Sequence, residues 1–232
     1  MVFSTAKKKR WTQAQKYERN YWLSNKERVQ SDEWIKIKGE RAESLTTWMS
    51  KFITISSETK ILQIGAGGEG EINFFPVGVR FAVDPLANFY KEHFQRVIDR
   101  QVEFRQARGE ELPFPDDFFD GIIMTNVLDH TEDPNLVLKE IQRTLKQRGV
   151  AIIEVHTFWA FSFFVKKYLL KNIGHPHVFT LNSLKRSIAR NALIILETRH
   201  DAKIHMYLGH WLKYMFLSRK YARFSVTKYH SK

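Results

Sequence analysis

Cysteine is absent from this sequence, which removes disulfides, thiolate metal sites and cysteine nucleophiles from consideration. The absence also fits a reducing compartment, so a cytoplasmic location is expected. Long hydrophobic runs are lacking as well. The longest aromatic stretch, FWAFSFFV at 158–165, is closed by Lys166 and Lys167 and falls short of the roughly 20 apolar residues that span a bilayer. A secretory leader is not expected, because the basic start MVFSTAKKKRW runs into polar residues instead of an apolar segment. Residues 12–52 hold Gly39 and no proline, and are rich in Lys, Glu, Gln and Arg with widely spaced apolar residues. Two or more helices are predicted there.

Acidic residues are scarce at the two ends. Residues 1–41 carry 11 Lys/Arg against 5 Asp/Glu and residues 199–232 carry 8 against 1, while the stretch between is near neutral at −1. These basic ends are interleaved with aromatics such as Trp11, Tyr17, Trp22, Trp211 and Tyr229. They suit phosphate groups of a nucleic acid, a lipid surface or a substrate, and equally a solvated surface with rings packed inward. A chain of 232 residues with 43% hydrophobic content can bury one sizeable core. The expectation is a basic helical cap over 1–56 and a main domain over 57–232, the latter with a lid insertion near 157–180 and a basic aromatic C-terminal tail.

From Lys60 the pattern changes to short apolar runs separated by helical segments: ILQIG, VRFAVD, VEFRQA, DGIIMTN, GVAIIEV and ALIILETRH. This alternation predicts an α/β fold, a mostly parallel sheet with helices on both faces. The segment DPNLVLKEIQRTLKQRG reads as a helix capped by Asp133, opened by Pro134 and stopped by Gly149.

Behind the first apolar run, Gly65, Gly67 and Gly70 match G-x-G-x-x-G at the strand-to-helix crossing, where open α/β sheets bind ligands. Nineteen residues beyond Gly65, Asp84 ends the second strand, where a carboxylate can accept hydrogen bonds from both ribose hydroxyls; its alternative role is a cap ahead of Pro85. Loop and carboxylate together point to a cofactor containing adenosine.

From residue 60 to about 157, the strings ILQIGAGGEG, FAVDP and GEELPFPDDFFDGIIMTNVLDHTEDPNLVLKEIQRTLKQRGVAIIEV follow in an order that resembles the class I S-adenosylmethionine-dependent methyltransferases, in particular the methyltransferase type 11 group. The resemblance implies a Rossmann-like seven-stranded sheet with one reversed strand near the C-terminus, and S-adenosylmethionine as cofactor. It places Gly65, Gly67 and Gly70 around the methionine part, Asp84 with Pro85 at the ribose, Gly109 and Glu110 at the adenine, and Asn126 at the methionine end. Two positions depart from the pattern. Gln63 stands where an acid usually serves the cofactor ammonium, and Arg108 stands where an acid often accepts from the adenine amino group. A nicotinamide dinucleotide fits the same glycine loop, but LPFPDDFFD and VLDH argue against it; a non-catalytic binding protein is the other alternative.

Methyl transfer from a sulfonium requires alignment and, for a hydroxyl acceptor, a base. His130, four residues past the fourth strand, is the candidate base, with Asp129 beside it. The alternative is that both only fix the loop before Pro134. His156, His175 and His177 are candidate substrate residues at the same rim, and hydrogen-bonding roles are favoured over a metal site for them. The expected acceptor is a hydroxyl of a small molecule, glycan or lipid-linked compound, with peripheral membrane contact through the basic ends. Nucleic acid is less favoured: NVLD replaces the Asn/Asp-Pro-Pro-aromatic string of base amino methylation, and carbon-5 methylation by a cysteine is excluded, which leaves ribose or tRNA side-chain methylation open.

Overall fold

The computed structural model describes residues 5–158, 176–201 and 219–228. Three helices open the chain: α1 (Thr5–Ser24), α2 (Lys26–Val29) and α3 (Asp32–Met49). Ser31 caps α3 by accepting from the Trp34 backbone N–H at 3.3 Å. Along α3 the residues Ala42, Leu45, Trp48 and Met49 recur at helical spacing and are buried against the sheet.

Seven strands follow: β1 (Lys60–Ile64), β2 (Val79–Asp84), β3 (Glu103–Gln106), β4 (Phe119–Thr125), β5 (Leu145–Phe158), β6 (Leu193–Asp201) and β7 (Arg219–Lys228). They form one sheet in the order β3-β2-β1-β4-β5-β7-β6, with β7 antiparallel to both its neighbours and the rest parallel. The expected mostly parallel seven-stranded sheet is what the chain builds. Alternate side chains of each strand enter two separate cores. Leu62, Ile64, Ile122, Met124 and Ile153 pack with α5 (Pro134–Thr144) and α6 (Leu181–Arg190) on one face. Ile61, Ala82, Ile123 and Ile152 pack with α3 and α4 (Ala87–His93) on the other. The N-terminal helices therefore share a core with the sheet.

Three local expectations are corrected. The crossing after β1 holds a single 3₁₀ turn, Glu71–Phe74, and α3 packs over it where a full helix was anticipated. Helix α5 does begin at Pro134 behind an Asp133 cap, but it ends at Thr144; Leu145 already pairs with Phe119, and Gly149 lies inside β5. Arg219–Lys228, read from sequence as part of a tail, is a core strand whose Ala222, Phe224 and Val226 are fully buried. Of the anticipated lid, residues 159–175 lie outside the described residues, as do the tail aromatics Trp211 and Tyr229. Among the described residues no helix is long and apolar enough to cross a membrane.

Candidate functional site

The strand order reverses between β1 and β4, and a crevice opens there beyond their C-terminal ends. The glycine loop forms its floor. Gly65 and Gly67 adopt φ of +68° and +59°, values that favour glycine, and a Cβ on Gly65 would come within 2.4 Å of Val127 Cγ2. A Cβ on Gly70 would press on the Ala66 carbonyl at 2.9 Å. The glycines are thus required by the loop's own packing, and Gly65, Gly67 and Gly70 all line the crevice.

Asp84 ends β2 beside this loop. Its carboxylate accepts from the Gly67 N–H at 3.1 Å and the Leu86 N–H at 2.8 Å, so it orders the loop and the start of α4 together. Burial raises its pKa to about 6, against the pull of those two N–H groups and with the nearby charge of Glu18 adding to the rise. The expected cap is not what forms: the residue at the N-terminus of α4 is Leu86, with no side-chain cap, and Asp84 acts on the turn before it while also lining the cavity with Pro85. Trp22 of α1 closes over the same corner: it lies edge-on to Tyr90 and Phe94, and a Cβ on Gly67 would touch its ring at 2.9 Å.

Gly109 and Glu110 line the next stretch of wall. Glu110 accepts from the backbone N–H groups of Glu132 at 2.7 Å and Asp133 at 3.4 Å, which ties this loop to the start of α5. Arg108 is not part of the lining. Its guanidinium is 2.7 Å from Glu132 Oε2, 3.6 Å from Glu110 Oε2 and 4.5 Å from the centre of the Trp11 ring, so it braces two lining residues, Glu110 and Trp11, from behind.

Gln63 departs differently from expectation. Its amide oxygen accepts the Ile72 N–H at 2.8 Å and its amide nitrogen donates to Glu71 Oε2 at 2.7 Å. Glu71 is buried, accepts from Arg41 at 2.7 Å and Lys38 at 3.1 Å, and receives the Thr125 hydroxyl at 3.2 Å. Burial alone would raise its pKa, but Lys38 and Arg41 hold it down at about 2.

At the end of β4, Asn126 takes φ +58°, a left-handed conformation that asparagine tolerates. Its N–H donates to the Glu154 carbonyl at 2.8 Å, and its side-chain oxygen is a buried acceptor with no donor among the described residues. His130 and His156 line the same end of the cavity. His130 is partly exposed, with Nε2 3.8 Å from Asp129 Oδ1, and Asp129 is buried. His177 differs from the sequence expectation for substrate: its Nε2 is engaged by the carbonyls of Thr131 at 2.9 Å and Glu132 at 3.2 Å, so it clasps the loop that carries His130. Burial lowers its pKa, against the Thr131 and Glu132 carbonyls, which raise it. His175 lies outside the described residues. Among the described residues no group of three His, Asp or Glu is arranged to hold a metal ion.

These residues surround a cavity of about 740 Å³. The cavity brings together Gln63, the three glycines, Asp84, Pro85, Gly109, Glu110, Asn126, His130 and His156, all singled out from sequence, and leaves Asp129 and His177 behind its wall. Sequence reasoning missed Trp22 and the charged set Lys38, Arg41, Glu71, Glu154 and Arg223, which also face the cavity. One signal existed for Glu154: an acid in the middle of the apolar strand AIIEV.

Residues 62–153 match the family model described as "Methyltransferase domain". Over that stretch the chain is similar to methyltransferase domains. It is 32% identical over 47% of its length to an uncharacterized methyltransferase of Bacillus subtilis, YcgJ, covering 45% of that protein. To 2-methyl-6-phytyl-1,4-hydroquinone methyltransferase 2 of rice it is 29% identical over 50% of its length and 35% of the relative. To the thiol S-methyltransferase TMT1B of rat it is 31% identical, covering 44% of each chain. The crystal structure of YcgJ superposes with a TM-score of 0.63 at 19% identity, covering 82% of this chain and 99% of that one. The chain spans less than half the length of these curated relatives.

Proposed function

We propose that the cavity binds S-adenosylmethionine and that the chain transfers its methyl group to a hydroxyl of a small-molecule, glycan or lipid-linked acceptor. The observation that carries the reading is the run of features along one crevice: glycine backbone, Asp84, and the unsatisfied acceptor of Asn126, leading to His130 and His156. A nucleoside with an amino-acid tail supplies hydroxyls for Asp84 and N–H donors for the buried Asn126 oxygen, so the residues present fit that cofactor. When bound, S-adenosylmethionine supplies an electrophilic methyl group on a sulfonium.

The protein's share of the chemistry is then alignment. Gly65, Gly67 and Gly70 admit the ligand close to the backbone, and Asp84 fixes it through the ribose. His130 stands at the acceptor end to take the hydroxyl proton on the ring nitrogen not turned toward Asp129, whose Oδ1, 3.8 Å from Nε2, stabilises the imidazolium that forms. The relatives named for hydroquinone and thiol methylation widen the test beyond hydroxyls. The purified chain is incubated with methyl-labelled S-adenosylmethionine and a panel of hydroxylated glycans, lipid-linked sugars, hydroquinones, thiols and tRNA. Label in a glycan or lipid hydroxyl, lost in His130→Ala, supports the reading. Label confined to thiol, ring carbon or tRNA refutes the acceptor assignment, and failure to bind the cofactor refutes the reading as a whole.

A further inference from the structure

Six charged side chains along one wall of the cavity alternate in sign. Lys38 Nζ lies 3.1 Å from Glu69 and 3.1 Å from Glu71; Arg41 joins Glu71 at 2.7 Å to Glu154 at 2.6 Å; and Arg223 closes on Glu154 at 2.6 Å. The row balances three cations with three anions. A lone charge brought against such a desolvated wall leaves one member unmatched, which is costly. A ligand group with an ammonium and a carboxylate on one carbon extends the alternation and leaves none unmatched.

Two details say where it enters. Arg41 spends Nε on Glu71 and Nη2 on Glu154, leaving its Nη1 donors without a hydrogen-bond partner among the described residues, and the side chain is partly exposed at 32%. On Glu71, the Thr125 hydroxyl occupies one oxygen at 3.2 Å, and a rotatable neutral donor yields to an arriving ammonium, whose hydrogen bonds to a carboxylate are stronger. Gln63, in contrast, has both ends of its amide committed, to Ile72 and to Glu71.

We infer that this alternating wall is the site for the α-amino-acid end of the cofactor, with Glu71 receiving its ammonium, Arg41 its carboxylate, and Gln63 acting as a positioning residue that aims Glu71. The inference rests on the S-adenosylmethionine reading. It explains the amide at position 63: a carboxylate there would sit within hydrogen-bond distance of buried Glu71, and two such groups do not both ionise.

The test is calorimetric titration of the full chain with S-adenosylhomocysteine and with 5′-methylthioadenosine, which keeps the nucleoside and thioether but lacks the amino-acid end. Glu71→Gln is expected to weaken S-adenosylhomocysteine by at least about ten-fold while changing 5′-methylthioadenosine by less than about three-fold. Gln63→Glu is expected to weaken S-adenosylhomocysteine too, although it restores an acid at that position. If Glu71→Gln fails to fold, Arg41→Gln, at a partly exposed member of the row, carries the same comparison. Equal losses for both ligands, or none, overturn the inference and leave the cofactor reading intact. If the unaltered chain binds neither ligand, the cofactor reading itself fails and this inference with it.

Discussion

Asp84 offers the sharpest test by pH. With a pKa of about 6 in the free protein, acidification from pH 8 to pH 5 leaves roughly one carboxylate in eleven ionised. A protonated carboxyl cannot accept from the Gly67 N–H and from two ribose hydroxyls together. Affinity for S-adenosylhomocysteine is therefore expected to fall about ten-fold across that interval, equivalent to about 1.4 kcal/mol. In Asp84→Asn the contribution of this group should vanish: the affinity should start about ten-fold or more weaker at pH 8 and lose most of its slope. Stability of the free protein runs the other way. The folded pKa lies above the ordinary value of 3.8, so the cost of holding Asp84 ionised is fully present above about pH 6 and is relieved as pH falls toward 4. Thermal melts should show Asp84→Asn gaining on the unaltered chain at pH 8 relative to pH 4. Titrations with the same slope in both proteins, or an unaltered chain indifferent to pH, would refute the assignment.

The remaining expectations concern backbone, base and core. Gly65→Ala, forced into φ +68° against Val127, should lose about 1–3 kcal/mol of stability and most cofactor binding, as read by denaturant melts and titration. His130→Ala should lower turnover by about 10² to 10⁴ while leaving cofactor affinity within a few-fold, and equal turnover would remove His130 as base. Phe224→Ala, at a fully buried position of β7, should cost about 3–5 kcal/mol in chemical denaturation; a cost near zero would mean that this strand is not part of the core.

The sheet was legible because its strands announce themselves locally. Ile61, Leu62 and Ile64, or Ile122, Ile123 and Met124, are apolar on both sides, as strands buried under helices on both faces must be. Strand β7 was hidden for the opposite reason: Lys220, Arg223 and Lys228 interrupt its apolar positions, and its basic character reads as solvated surface until Glu154 and Asp117 are found opposite two of them. The single 3₁₀ turn after β1 was also out of reach, since the helix that covers that region, α3, comes from an earlier part of the chain. On the site, Gly65, Gly67, Gly70 and Asp84 follow from spacing between the ends of two neighbouring parallel strands, β1 and β2. The pairing of Gln63 with Glu71, and of Arg41 with Glu154 more than a hundred residues away, depends on tertiary packing that no local pattern encodes.

The central question is which adenosine cofactor the cavity prefers. Calorimetric titration of the unaltered chain with S-adenosylmethionine and, separately, with NAD decides it directly. Saturable one-to-one binding of S-adenosylmethionine with no comparable heat from NAD is the predicted result; tighter binding of NAD, or binding of neither, would contradict it.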